Sequence, residues 1–210
     1  MIGEESVGGF LESVASDAPV PGGGSVAAVA GATGAALIAM AARLTAGHAG
    51  FGAVEERMRL IAEDADAART ELLGLADRDA DAFAAVMAAF RMPKEADEEA
   101  AARTAAIQAA FAGAAAVPLE VGRCAAALMA IARRVVATGN PDCASDGASG
   151  AAMLHAAVAC AVANVEVDAA ALKDEAASRA LREEAASLRA RAAALLDEIL
   201  TAFREAVGGA

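Results

Sequence analysis

The residue placed most suggestively for chemistry is the aspartate at position 79. Met58, Ile61, Ala65, Ala68, Leu72, Leu75, Asp79, Phe83, Val86 and Phe90 recur at steps of three or four, the spacing that stacks side chains along one helix face. Asp79 is the charged member of this apolar stripe. A carboxylate carried into such a face loses hydration, and its pKa rises unless a cation or hydrogen-bond donors compensate. A carboxyl group so tuned suits general acid or base work. The structural alternative is an Asp paired with an arginine or capping a neighbouring helix. Asp77 and Asp81 point about 160° away, where acidic side chains on a helix are usually solvated. Asp79 and Asp81 are i and i+2, so one regular helix cannot turn both into the same cleft.

Three further groups carry polar chemistry. Pro21-Gly22-Gly23-Gly24-Ser25 is a glycine-rich turn opening a helix, where free backbone N–H groups can hold an anion or a carbonyl. It is neither GxxxxGK[ST] nor a GxGxxG following a strand, and a plain turn explains it too. Asn140, Ser145 and Asp146 fall in a loop leading into a helix, where Ser145 or Asp146 is placed to cap. Asn164 lies on an apolar face, and a buried amide needs partners, structural or substrate. Eighteen residues, about 27 Å of helix, separate Asp146 from Asn164, so the two cannot touch one small ligand together. His48 and His155 stand in different segments without ligand spacing, and Cys124, Cys143 and Cys160 form no CxxC, so no metal site is expected. The cysteines read as small core residues, or for Cys143 a loop thiol.

The elements that must position these residues are helical. Breaks rich in Pro, Gly, Asn and Asp fall at residues 17–25, 47–52, 92–94 and 138–147. Between them the sequence predicts a short helix over 5–16, a helix over 25–46 with Ser25 as N-cap, and a long helix over 53–91. A helix over 97–116 starts with acid in its first turn, as the helix dipole prefers. Pro118 is expected to kink or interrupt it before a helix over 119–137. An apolar helix over 148–167 and an amphipathic one over 172–206 complete the chain, the last an outer or dimer-forming helix. Gly24, Ala28, Gly31 and Ala35 give the second helix a smooth face for close packing.

Composition agrees with an all-α, multihelical bundle of long antiparallel helices with short helices, in one domain spanning 1–210. About a third of the 210 residues are alanine, with no Trp or Tyr and only 3% aromatics, a mix that favours helices and disfavours sandwiches and barrels. The formal charge of −12 argues against nucleic acid and anionic membrane as partners. The acidic N-terminus lacks the basic run of a secretion signal, so a cytoplasmic protein is expected. The uncharged helical run 26–42 is near the lower limit for a spanning helix and rich in Ala and Gly.

Taken in order, FLxxxAS at 10–16, APVPGGGSVAAVAGATGAALIAM at 18–40, LTAG at 44–47 and DRDADAF at 77–83 resemble one known family. The resemblance continues through RMPK at 91–94, RTAAIQ at 103–108, VPL at 117–119, GNPDCASD at 139–146 and ANVEVD at 163–168. The family is that of the formiminotransferase-cyclodeaminase C-terminal domain and the methenyltetrahydrofolate cyclohydrolases. It implies a homodimeric helical bundle acting on a one-carbon unit between N5 and N10 of tetrahydrofolate. The reaction expected is hydrolysis of 5,10-methenyltetrahydrofolate to 10-formyltetrahydrofolate, with the folate as substrate and no tightly bound cofactor or metal. The alternatives are cyclodeamination of 5-formiminotetrahydrofolate and a non-catalytic helical oligomer that binds a folate or small anion. Carried over by position, the acidic pair falls on Asp79 and Asp81. Gly22, Gly23, Gly24, Ser25, His48, Asn140, Ser145, Asp146 and Asn164 would bind substrate.

Two departures stand out. The family's G-K/R-K/R-x-Y/F reads Gly47-His48-Ala49-Gly50-Phe51, losing cations for an anionic folate tail. Its LNVxxN reads Ala163-Asn164-Val165-Glu166-Val167-Asp168, which makes the region more acidic.

Overall fold

The computed structural model describes residues 1–208. Among them six α-helices and two single-turn 3-10 helices account for the regular structure, with no strand. The helices are α1 (Val7–Val14), α2 (Gly23–Ala46), α3 (Glu55–Phe90), α4 (Asp97–Thr138), α5 (Ala144–Ala170) and α6 (Glu175–Gly208). The 3-10 turns span Ile2–Glu4 and Pro141–Cys143. From α2 onward each helix packs against its successor across a short connection, the arrangement of antiparallel neighbours in a bundle.

Helix α2 occupies the middle, against α3, α5 and, over a smaller area, α4. Small residues make this possible. Gly31 meets Leu72 and Ala157, and a Cβ at Gly34 would stand 2.7 Å from the Gly150 carbonyl oxygen, so α2 and α5 cross nearly backbone to backbone. Ile38, Met58, Leu72, Met129, Leu154 and Ile199 fill the core and are fully buried. Each such side chain contributes about 1.5–3 kcal/mol by leaving water. Helices α2, α4 and α5 are long and apolar enough to cross a membrane, yet half or more of each apolar window (61%, 61% and 50%) is buried within the bundle.

Several expectations need correction. Helix α2 starts at Gly23 with Gly22 as its N-cap, so Ser25 lies inside the first turn and does not cap. The α4 helix runs unbroken through Pro118, because Val117, Pro118, Leu119 and Val121 are all buried and their packing holds the helical path. The proline still leaves the Ala114 carbonyl without its i+4 donor. Ser145 and Asp146 belong to the first turn of α5, which begins at Ala144 and not after them. The apolar stripe of α3 is buried from Met58 to Leu75, but Phe83 and Phe90 are exposed. Cys160 is exposed and Cys124 half-buried, so Cys143 is the cysteine that packs in the core. Burial pushes the Cys124 thiol up to about 11, leaving it protonated at neutral pH.

Candidate functional site

The first turn of α2, the C-terminal half of α3, the middle of α4 and the last turns of α5 enclose a cleft of about 180 Å³. Antiparallel packing explains the meeting: the beginning of α2 necessarily lies beside the end of α5. Gly22, Gly23 and Gly24 line one wall, with Asp79, Phe83, Phe111, Ala114, Asn164 and Asp168 on the others.

Asp79 enters this cleft half-buried. Its Oδ2 accepts from the Ser25 hydroxyl at 2.9 Å, a hydroxyl that also lies 3.1 Å from the Ala76 carbonyl oxygen. Burial pushes the Asp79 carboxyl above its ordinary value, while the Ser25 hydroxyl and backbone amide hold it down. The carboxylate therefore sits at the start of α2, where the helix dipole favours negative charge. Asp79 thus braces the start of a neighbouring helix and at the same time lines the cavity. No arginine or lysine among the described residues pairs with it.

The glycines are needed sterically. A Cβ at Gly24 would lie 2.0 Å from Asp79 Oδ1, and one at Gly23 would lie 3.2 Å from Asn164 Nδ2. Only a residue without a side chain lets the α2 backbone come this close to both polar groups. Asn164 donates to the Cys160 carbonyl at 2.8 Å, which leaves its Oδ1 free to accept.

Asp168 is the site residue that sequence reasoning missed. It stands one helical turn beyond Asn164 and lines the same cleft. Burial, and then the charge of Asp79, raise its carboxyl to about 6. The available signal was the i, i+4 spacing from Asn164, which puts both side chains on one face of α5.

Other sequence candidates lie elsewhere. Asp81 is exposed on the far face of α3, as the i, i+2 argument requires, while Asp77 accepts the Ile2 amide at 2.8 Å and anchors the N-terminal turn. His48, Asn140, Ser145 and Asp146 gather near the C-terminal end of α2, about 35 Å along that helix from Gly23. The Asn140 amide donates to Thr45 Oγ1 at 3.0 Å and its Oδ1 accepts from the Asp142 amide at 3.0 Å, so Asn140 caps the 3-10 turn. The exposed His48 faces Phe51 edge-on. Within one chain these four residues and the Asp79 cleft cannot share a small ligand. Among the described residues no three His, Cys, Asp or Glu side chains converge on a common point.

Comparison with known proteins follows the same outline. Residues 6–187 match the formiminotransferase-cyclodeaminase family. A methenyltetrahydrofolate cyclohydrolase of Methylorubrum extorquens is 38% identical over 199 residues, 95% of this chain and 96% of that protein. A formimidoyltransferase-cyclodeaminase of Rattus norvegicus is 36% identical over 171 residues, and the match spans 81% of this chain but 31% of that longer protein. The crystal structure of a formiminotetrahydrofolate cyclodeaminase from Thermotoga maritima superposes with a TM-score of 0.89 at 29% identity, covering 99% of this chain and 100% of that one.

Proposed function

Since the chain belongs to the formiminotransferase-cyclodeaminase family, we propose that its cleft hydrolyses 5,10-methenyltetrahydrofolate to 10-formyltetrahydrofolate. The observation that carries this reading is Asp79: a half-buried carboxylate on a cavity wall, raised by burial and without a cationic partner. The methenyl bridge is an amidinium-like cation, so the substrate brings the missing charge. Water adds to the bridging carbon while Asp79 takes one of its protons, giving a neutral tetrahedral carbinolamine. The C–N5 bond then breaks with its electron pair going to N5. N5 gains a proton, the carbinol oxygen loses one to become the formyl carbonyl, and one proton in total is released. Hydrolysis at a carbon that is already cationic requires neither redox chemistry nor a Lewis acid, which supports a reaction without tightly bound cofactor or metal.

The glycine turn and Asn164 offer donors and an acceptor to the pterin. The cleft itself is smaller than the ~300–1,000 Å³ of sites that enclose a whole drug-sized ligand, so it takes the reacting end of the folate. We further propose a homodimer in the cytoplasm, with each chain a single helical domain. Exposed Val7, Leu11, Phe83 and Phe90 supply apolar surface for such an association. Light scattering should then give twice the 20.6 kDa of one chain.

Cyclodeamination is the second reading, favoured by the names of the rat and Thermotoga relatives. Loss of methenyl absorbance with purified protein tests the first reading, and ammonia release from 5-formiminotetrahydrofolate tests the second. The Asp79→Ala variant should retain no acceleration above about one hundredth of the original rate. A rate for the unmutated protein equal to that of buffer in both assays leaves only a binding role.

A further inference from the structure

The charge in the cleft is unbalanced. Its ionisable lining consists of Asp79 from α3 and Asp168 from α5. Helix α2 faces them with the backbone of Gly22 to Gly24, α4 with Phe111 and Ala114, and α5 adds the neutral Asn164 amide. Helix α6 packs on α5 but contributes no lining residue. The nearest cations in sequence are committed elsewhere or lie outside: Arg78 pairs with Glu120 at 2.6 Å, and Lys173 is not among the lining residues. Two carboxylates thus share a small cleft in which no lining residue carries a positive charge.

We propose that Asp168 is a specificity-determining residue, which together with Asp79 makes the cleft select a folate whose one-carbon bridge is cationic over one whose one-carbon group is uncharged. This rests on the folate reading above for the identity of the ligand. When the cleft is empty, like charges in a desolvated space are relieved by protonation of one partner. An arriving planar cation does the same without the proton, and the aromatic side chains of Phe83 and Phe111 line the cleft it enters. An uncharged ligand leaves the repulsion in place and gains nothing from Asp168. Proton and cation compete, so affinity for the cation weakens as pH falls through about 6, where Asp168 takes up its proton.

The test compares 5,10-methenyltetrahydrofolate with 5-formyltetrahydrofolate, neutral at N5, on the full chain and on Asp168→Asn, which keeps size and hydrogen-bonding capacity. At pH 7.5 the substitution is expected to weaken the methenyl ligand about tenfold and to change the inhibition constant of the formyl ligand less than twofold. The weakening of cation affinity below pH 6 should be reduced in Asp168→Asn, where only Asp79 is left to take up a proton, and persist in Asp168→Glu. Equal weakening of both ligands would make Asp168 merely part of the wall, and unchanged cation affinity would overturn the proposal outright. Where the unmutated protein binds the methenyl ligand without hydrolysing it, dissociation constants replace KM. The proposed reaction then fails while the charge preference is still decided. Absence of binding for both folates rejects both.

Discussion

The two ends of α2 hold polar residues in opposite circumstances. At the N-terminal end, Asp79 and Asp168 border a cavity with no cation to neutralise them, and burial shifts both upward. Around the C-terminal end, Thr45 and Asn140 are buried but bonded to each other and to neighbouring backbone, and Arg43 pairs with Asp66. One end leaves an electrostatic demand that an external group can meet. The other spends its polar groups on holding loops together. Residue type alone does not separate the two, since Asn140 and Asn164 are equally good ligands by chemistry. What separates them is where the side chain is held: Asn164 lines the cleft that Asp79 and Asp168 border, whereas Asn140 caps a 3-10 turn.

The contrast breaks most visibly at glycine. Gly24→Ala forces a Cβ to within 2.0 Å of Asp79 Oδ1, so the carboxylate must move from its bond with Ser25. A displacement of that size is expected to lower kcat about a hundredfold. Gly34→Ala, farther along α2, meets the Gly150 carbonyl at 2.7 Å and Leu154 Cγ at 2.8 Å. There the cost is overpacking, about 1–3 kcal/mol of stability, read as a lower denaturant midpoint with kcat per folded molecule unchanged. Equal kcat losses for the two variants would erase the distinction between the ends.

Much of this was readable from sequence through periodicity. The three-and-four spacing from Met58 to Leu75 identified the buried face of α3, and Asp79, singled out on that face, lines the cleft half-buried. The stripe misled at Phe83, which lines the cleft, because spacing carries no information about cavities, and at Phe90, which is exposed beside Phe111 and Arg103. Ser25 was misjudged as a cap: its side chain is drawn away by Asp79, 54 positions later, a tertiary contact no local rule foresees. Asp168 was noted as an acidic departure from the family pattern but not as a site residue, for a related reason. Its neighbours along the chain are ordinary, and its altered proton affinity comes from burial and from Asp79, neither of which exists until α3 and α5 are assembled around the start of α2. The interruption expected at Pro118 does not occur, since tertiary burial overrides a local helix-breaking tendency.

Thr45→Val probes the opposite end. It removes the acceptor of the Asn140 amide at a fully buried position, and an orphaned buried donor costs about 1–3 kcal/mol. Chemical denaturation should show that loss, while kcat and KM for the methenyl substrate stay within twofold of the unmutated values. A selective rise in KM would bring the Asn140 loop into the substrate site, by way of a second chain.

The smallest expected effect concerns stability and has an unusual sign. In the unfolded chain Asp168 titrates at its ordinary value of 3.8, and in the folded protein at about 6. Between these values the folded state binds more protons than the unfolded one, so stability contributed by this group is present at low pH and lost as pH rises through about 6. At pH 7.5 the ionised Asp168 is therefore a burden on the fold. Asp168→Asn should raise Tm by about 2–4 °C there, taking roughly 1 kcal/mol for a half-exposed group after solvent screening, and by nothing at pH 4. Calorimetry at the two pH values checks this. A residue that weakens the fold at the pH where the protein works, and whose removal weakens binding of a cation, marks the acidic end of α2 as shaped for a ligand more than for packing.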